Sequence, residues 1–417
     1  MPLSNRKCYN DTRRLLQADG QRWDVRAVLG TSVVIFVPDD TRKTGREVPL
    51  MLERVQGAPL LAWLTAALAQ GGARRFFLVA QPGCMARAKA CFPQDLDLTV
   101  CAEQDPADLL HVFLSTTEGE EEQITVITGP AVYLSIPAAR CRGVSSQKAA
   151  AFFASRQGLM EALDQDFSFS RFLVEQGHPC TQDDGFYAVS DFVELLAWQK
   201  AMNQDQLFRL AQQGVRIWDL DHCYVSPWSA VGNGTELLPG VILTGHNSVG
   251  SGCTIGPDTY LSDCSVADGA RVVSSRAEGA VIGPDCEVGP FANLRTGTRL
   301  GPAVKAGAFV EMKETQVGAR TQVAHLTYLG DASVGQDCNV GCGVATANFD
   351  RVDKHETVLE DGAFVGCHTS LVAPVRVGQG AYIGAGSVIT QDVPDGALGV
   401  ARSRQTNKKE WANRHKK

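Results

Sequence analysis

Apolar residues recur six apart through the second half of the chain. Val249, Ile255 and Leu261 begin the pattern; Ile282, Val288, Leu294, Leu300, Ala306 and Met312 carry it on; Val317, Val323 and Leu329, then Val334 and Val340, and finally Val377, Ile383 and Ile389 complete it. A glycine commonly follows the apolar position, as in Ile255-Gly256, Ile282-Gly283, Val317-Gly318 and Val334-Gly335. A six-residue period matches neither a helix face nor an alternating strand. It fits a prism in which each step makes one side and one corner, and three steps make one coil. The inward aliphatic residues stack on their copies above and below, which supplies a core no single repeat could have. The following glycine is expected to let the chain turn the corner. This reading predicts an all-β parallel β-helix over residues 230–400, with the break in phase at 348–357 forming a loop that leaves the prism.

The first half has a different texture. Ser32-Val33-Val34-Ile35-Phe36-Val37, Arg75 to Ala80, Leu98 to Val100 and Ile124 to Ile127 read as strands. Helical spacing between them covers Pro59 to Ala69, Met85 to Cys91 and Ala107 to Leu114, and an acidic loop runs from Glu118 to Glu122. Alternation of this kind predicts an α/β domain around a parallel sheet, over 31–188, after an extension at 1–30. Gln147 to Gln165 also reads as helix. A longer helix, Val189 to Gln213, belongs to a connecting stretch, 189–229, and a basic tail occupies 401–417.

Composition narrows the function classes. The 417 residues carry a formal net charge of −7, with 44% hydrophobic and 20% charged residues. No broad basic stripe suits a nucleic acid, and no apolar run reaches the roughly 18 residues that a membrane span needs. Thirteen scattered cysteines without an apolar leader fit free thiols in a reducing cytoplasm. Cys338 and Cys342 form a lone CxxxC pair, so no metal site is expected.

Candidate chemistry gathers where the plain repeat is interrupted. Arg295 and Lys313 are 18 residues apart, one full coil, so they stack on one face. Two adjacent cations suit a bound anion, the guanidinium as a fork and the ammonium as a point charge; pairing with Glu311 or Asp331 in a surface network is the alternative. His325 can take a proton near neutral pH. Tyr328 and Asn339 add hydrogen-bonding groups.

The motifs Phe291-Ala-Asn-Leu-Arg295, Phe309-Val-Glu-Met-Lys313, His325-Leu-Thr-Tyr-Leu-Gly-Asp331 and Leu371-Val-Ala-Pro-Val375, with the Asn348 loop, resemble the acetyltransferase half of the bifunctional enzyme family that makes UDP-N-acetylglucosamine. The resemblance covers 230–417 well and 30–135 only faintly. It implies a left-handed prism, acetyl-coenzyme A as co-substrate, glucosamine 1-phosphate as acceptor and a homotrimer. It further implies that His325 is the general base, that Arg295 and Lys313 bind the sugar phosphate, and that Tyr328, Asn339 and Lys354 hold the sugar and its phosphate. Asn348 and Phe349 help shape the neighbouring subunit's site; Cys342, Cys367, Ala385 and Arg402 occupy positions that contact the coenzyme. The family has Tyr at 349, Ala at 342 and Ser at 367, so this chain departs from it there. Transfer to another, nucleotide-linked amino sugar and a non-catalytic binding scaffold remain open alternatives.

The uridylyltransferase half of that family has a Gly-rich loop after its first strand, a downstream Pro-Lys, and a Gly-Asp that binds magnesium. Here Phe36-Val37-Pro38-Asp39-Asp40-Thr41-Arg42 follows the strand, Leu50 stands after Pro49, and Pro130 follows Gly129. Carboxylates repel phosphates and proline cannot ligate a metal. The expectation is a truncated, degenerate nucleotidyltransferase-like domain that supports the prism and transfers no uridylyl group.

Overall fold

The computed structural model describes residues 30–102, 106–116, 123–135, 149–164 and 169–412. The N-terminal extension up to residue 29, the loop Glu118 to Glu122 and the last five residues of the basic tail lie outside them.

The first half builds a six-stranded sheet. Strands β1 (Ser32–Phe36), β2 (Arg75–Ala80), β3 (Asp97–Ala102), β4 (Gln123–Ile127), β5 (Ala151–Ser155) and β6 (His178–Pro179) lie in the order β3-β2-β1-β4-β5-β6. The first four run parallel; β5 is antiparallel to both of its neighbours. Helices α1 (Leu60–Gln70), α2 (Pro82–Lys89) and α3 (Ala107–Ser115) supply the crossovers. The central strands β1, β2 and β4 are buried on both sides, which is why they read as continuous apolar runs.

The stretch expected to be helical from 147 to 165 is corrected by the structure. Residues Ala151–Ser155 form β5, and only Arg156–Asp164 is helix, α4. Ala151 and Phe153 pack into the cluster that holds Val33, while Phe152 and Ala154 face the cluster on the other side of the sheet. That two-residue alternation, with the pairing β4 needs on its open edge, overrides the helical spacing.

The prism is as the period predicts. Three faces of short parallel strands climb the axis, and every inward residue named from the spacing is buried. The first rung, Arg216–Ile217 with Tyr224–Val225, lies within the stretch read as a connector. Coil length is 18 residues from Asn293 to Glu311 and 17 from Glu311 to Tyr328, but 25 from Ala345 to Ser370 (370 − 345). The surplus is the loop after Ala347, and the ladder resumes at Thr357.

The role expected of the glycines holds at Gly256, whose φ is 104°, and is corrected at three others. Gly283, Gly318 and Gly335 do not have left-handed backbones. A Cβ on Gly318 would lie 2.5 Å from the backbone nitrogen of Gln336 and 2.5 Å from the carbonyl carbon of Gly335, one coil away. Glycine is needed at those three positions so that coils can approach. Phe291, Phe309, Leu326 and His368 take positive φ at one corner.

Helix α5 (Phe192–Gln212) joins the halves. Its N-cap Asp191 accepts from the Glu194 amide, and Glu194 reaches back to the Ser190 amide, a reciprocal cap. Leu207 and Leu210 enter the prism core, and Asn203 donates to the Cys223 carbonyl at 2.8 Å while accepting from the Val225 amide at 3.1 Å. The helix therefore closes the open end of the first coil with both apolar and backbone-matching groups.

Candidate active site

Stacking of the motif residues is direct. Leu294 pairs with Met312, and the Arg295 amide donates to the Met312 carbonyl at 2.8 Å, so Arg295 and Lys313 stand one above the other. Lys313 pairs in turn with Gly330. The long loop folds back onto this spot. Asn348 donates a short hydrogen bond to the Asp331 carboxylate, and Lys354 Nζ lies 3.9 Å from Asp331 Oδ2. Lys313 and Lys354 thus share the field of one largely buried carboxylate, and Arg295 stands beside Lys313. The Lys354 side chain, then the Arg295 charge, push the Lys313 ammonium below its usual pKa, because a further positive charge beside them is unfavourable. Arg295 also meets Glu311 at 3.0 Å. Part of the cationic field is balanced within the chain, as the surface-network alternative held, and the remainder faces solvent.

Tyr328 enters the same patch over Gly330. A Cβ on Gly330 would come 2.4 Å from Tyr328 Oη and 2.8 Å from Asn348 Nδ2. Absence of a side chain at 330 is what lets the phenol and the amide meet above the strand. The Gly330 amide is itself fixed by Thr346 Oγ1 at 2.8 Å.

A second group forms an axial column. Val323, Val340, Val365 and Ile383 are in register on one face. Two residues further along each coil stand His325, Cys342, Cys367 and Ala385, each just before a corner residue of positive φ: Leu326, Gly343, His368 and Gly386. The imidazole of His325 is exposed and makes no side-chain hydrogen bond to a described residue, so it is open to a ligand. Arg402 lies beside Gly386, its Cδ 3.6 Å from where a Cβ would be. His325 and the residues expected to meet the coenzyme therefore share one edge, and the strand beginning at Tyr328 leads from that edge to the cation patch.

Two expected members fall elsewhere. Asn339 pairs with Gln322 and Phe364 on the face that precedes the His325 corner, and it is not brought to the cations within one chain. Phe349 is 60% exposed at the loop tip, bridged to Lys354; neither it nor Asn348 joins the coenzyme column, and Asn348 belongs to the cation patch. Asp331, weighed from the sequence only as a counter-ion to the stacked pair, is also the residue that Asn348 and Lys354 of the long loop meet. Its signal was its place at the end of the His325 motif, at a corner with φ 47°.

In the α/β half the crevice at the carboxyl ends of β1 and β4 is where such sheets bind ligands. Asp39 lies there, accepting from the Thr41 hydroxyl at 2.6 Å, and that bond holds its carboxyl below the usual range. Asp40 accepts from the Leu50 amide at 2.9 Å. Leu50 is fully buried in the core, and the Pro130 carbonyl accepts from the Val189 amide. Among the described residues no group of three or more His, Cys, Asp or Glu side chains could hold a metal, and no helix is long and apolar enough to cross a membrane.

Residues 356–391 match the family model described as bacterial transferase hexapeptide (six repeats). A bifunctional protein GlmU from Geobacillus sp. (strain WCH70) is 42% identical over 226 residues, 54% of this chain and 49% of that protein. Its counterpart from Nocardia farcinica is 45% identical over 228 residues, 55% of this chain and 46% of its own length. The chain spans about half the length of the curated relatives it matches, and over that stretch it is GlmU-like. The solved Francisella novicida UDP-N-acetylglucosamine acyltransferase is similar at 14% identity and a TM-score of 0.34, over 44% of this chain and 66% of that one.

Proposed function

We propose that this chain transfers the acetyl group of acetyl-coenzyme A to the amine of an amino-sugar 1-phosphate, with glucosamine 1-phosphate as acceptor, and that it transfers no uridylyl group. The observation that carries the reading is the convergence of Arg295, Lys313 and Lys354 on one patch, joined by a single strand to the exposed imidazole of His325. A sugar phosphate held by its anion at the patch extends its amine along the strand towards that edge. The thioester lies along the column of Cys342, Cys367 and Ala385, with Arg402 beyond. His325 takes the proton as the free amine attacks the carbonyl; the tetrahedral intermediate collapses and expels the coenzyme thiolate. Holding both reactants side by side supplies much of the acceleration. Asn339 and the loop tip Phe349 serve the site across a three-fold assembly, since they stand on faces that a neighbouring copy could cover.

Loss of uridylyl transfer is supported by the crevice of the first half. Ionised Asp39 stands where the family has its phosphate cradle, the buried Leu50 cannot supply a cation, and Pro130 cannot supply a metal ligand. The test is acetyl transfer to glucosamine 1-phosphate, wild type beside His325→Ala, with UTP-dependent pyrophosphate release measured in parallel. Turnover that disappears in the variant, with no pyrophosphate, is the expected result. Unchanged turnover in the variant removes His325 as base, and turnover only with a nucleotide-linked amino sugar replaces the acceptor.

A further inference from the structure

Eight of the eleven described cysteines are buried, and those in the prism interior, Cys253, Cys264, Cys286 and Cys338, have thiols pushed up by desolvation. Cys342 and Cys367 are different: the first is half-buried and the second exposed. They are also adjacent. The Gly341 amide donates to the Val365 carbonyl at 2.8 Å and the His368 amide donates to the Cys342 carbonyl at 2.7 Å, so backbone bonds bracket the pair on both sides. In-register neighbours on successive coils are about 4.7–4.9 Å apart, inside the roughly 4.4–6.8 Å Cα window of a disulfide.

A third residue completes the arrangement. The His368 ring folds down over the coil that carries Cys342: a Cβ on Gly343 would lie 2.5 Å from His368 Nδ1. Gly343 leaves that space free, and the imidazole lies next in sequence to Cys367 and over the residue next to Cys342.

We propose that Cys342 and Cys367 are a reversible dithiol–disulfide pair that closes the edge beside His325 when the protein meets a low-molecular-weight disulfide. The Cys367 thiolate attacks one sulfur of the small disulfide, forming a mixed disulfide and releasing one small thiol, which takes the proton Cys367 gave up. Cys342 then attacks the Cys367 sulfur and releases the second small thiol. The protein loses two electrons and two protons, and the small disulfide gains them. Parallel, in-register side chains start about 1 Å further apart at Cβ than the roughly 3.8 Å a relaxed bridge prefers. The bridge is therefore strained and exposed, the combination that makes a disulfide easy to reduce again. Its consequence for acetyl transfer rests on the function proposed above, because only that reading seats the thioester against these two residues.

The experiment treats the full chain with glutathione disulfide and maps cysteines by mass spectrometry, with acetyl transfer measured on the same samples. Expected are a Cys342–Cys367 linked peptide, its disappearance with dithiothreitol, and turnover lowered at least roughly tenfold in the linked form and restored on reduction. Cys342→Ser is expected to stop at a stable mixed disulfide on Cys367. Two free thiols after treatment, or a lasting mixed disulfide on Cys367 in the wild type, overturns the pair. A linked form with full turnover overturns the closure. Absence of turnover in the reduced protein instead overturns the functional reading, while the disulfide stands or falls on the mass measurement alone.

Discussion

Substitution of Gly330 by alanine separates the two jobs that glycine does in this prism. Its new Cβ would come 2.4 Å from Tyr328 Oη, 2.7 Å from Tyr328 Cζ and 2.8 Å from Asn348 Nδ2, and ordinary contact begins near 3.4 Å, so the phenol has to move by about 1 Å (3.4 − 2.4). Both obstructing groups are side-chain ends, and they can move without disturbing a coil. An off-rotamer tyrosine costs about 0.5–1.5 kcal/mol, so thermal stability falls only slightly. A shift of about 1 Å at a group that positions a reactant can cost on the order of a hundredfold in rate. Gly318 is the control. There the obstruction is the backbone of the next coil, at 2.5 Å, and no side chain of the cation patch is among the groups it meets; overpacking of that kind costs about 1–3 kcal/mol. The assay pairs kcat/KM for acetyl transfer with melting temperature. Gly330→Ala should lose most of its kcat/KM while melting near the wild type, and Gly318→Ala should melt lower with kcat/KM close to normal below its transition. Gly330→Ala with wild-type kinetics would refute the placement of Tyr328 and Asn348 in the site.

Three further outcomes follow from the geometry. Asp205 pairs with Arg209 at 2.8 Å, with side chains only 2% and 9% exposed, and also accepts from the Ser135 amide; Asp205→Ala strands a buried guanidinium and should cost about 3–5 kcal/mol by denaturant unfolding. Asp350 ties the site loop by accepting from His355 at 2.7 Å and from the Val352 and Asp353 amides, which hold its carboxyl well below the usual range. Because its folded pKa is depressed, the loop's order is fully present above the unfolded value of about 3.9 and is lost only as pH falls through the folded value, so amide protection at Val352 and Asp353 should persist to about pH 4 and fade in stronger acid. Leu50→Lys should not restore nucleotidyl transfer: the side chain is fully buried, so the lysine costs on the order of several kcal/mol in melting experiments and yields no UTP-dependent pyrophosphate.

The prism was legible because its rule is one-dimensional. A residue six positions from an inward aliphatic is inward too, and Ile282, Leu294, Met312 and Ile383 needed no other information to be placed in the core. Stacking of Arg295 on Lys313 followed from the same count. The period says nothing about the distance between coils, so it could not show that Gly318 and Gly335 serve close approach instead of the corner. Nor could it show Asp331 as the hub of the cation patch, because that role exists only once the surplus loop of the 25-residue coil folds Asn348 and Lys354 back onto it. Asn339 came from the family resemblance and not from the count, and within one chain it stands on the face that precedes the His325 corner, paired with Gln322 and Phe364. In the first half, Ala151–Ser155 was lost because a short run with two phenylalanines serves helix and strand alike until an open sheet edge selects one.

The two halves are coupled through helix α5. At the carboxyl end of β1, Asp39 accepts from Thr41 and Asp40 from the Leu50 amide, so both carboxylates are engaged by the domain's own groups. What it gives the second half is α5. An uncapped β-helix would present the unpaired backbone of its first coil and the open end of its apolar core. Asn203 matches that backbone at Cys223 and Val225, while Leu207 and Leu210 cover the core. The first half is structurally tied to the second under this arrangement because the helix that ends it is also the first layer of the prism.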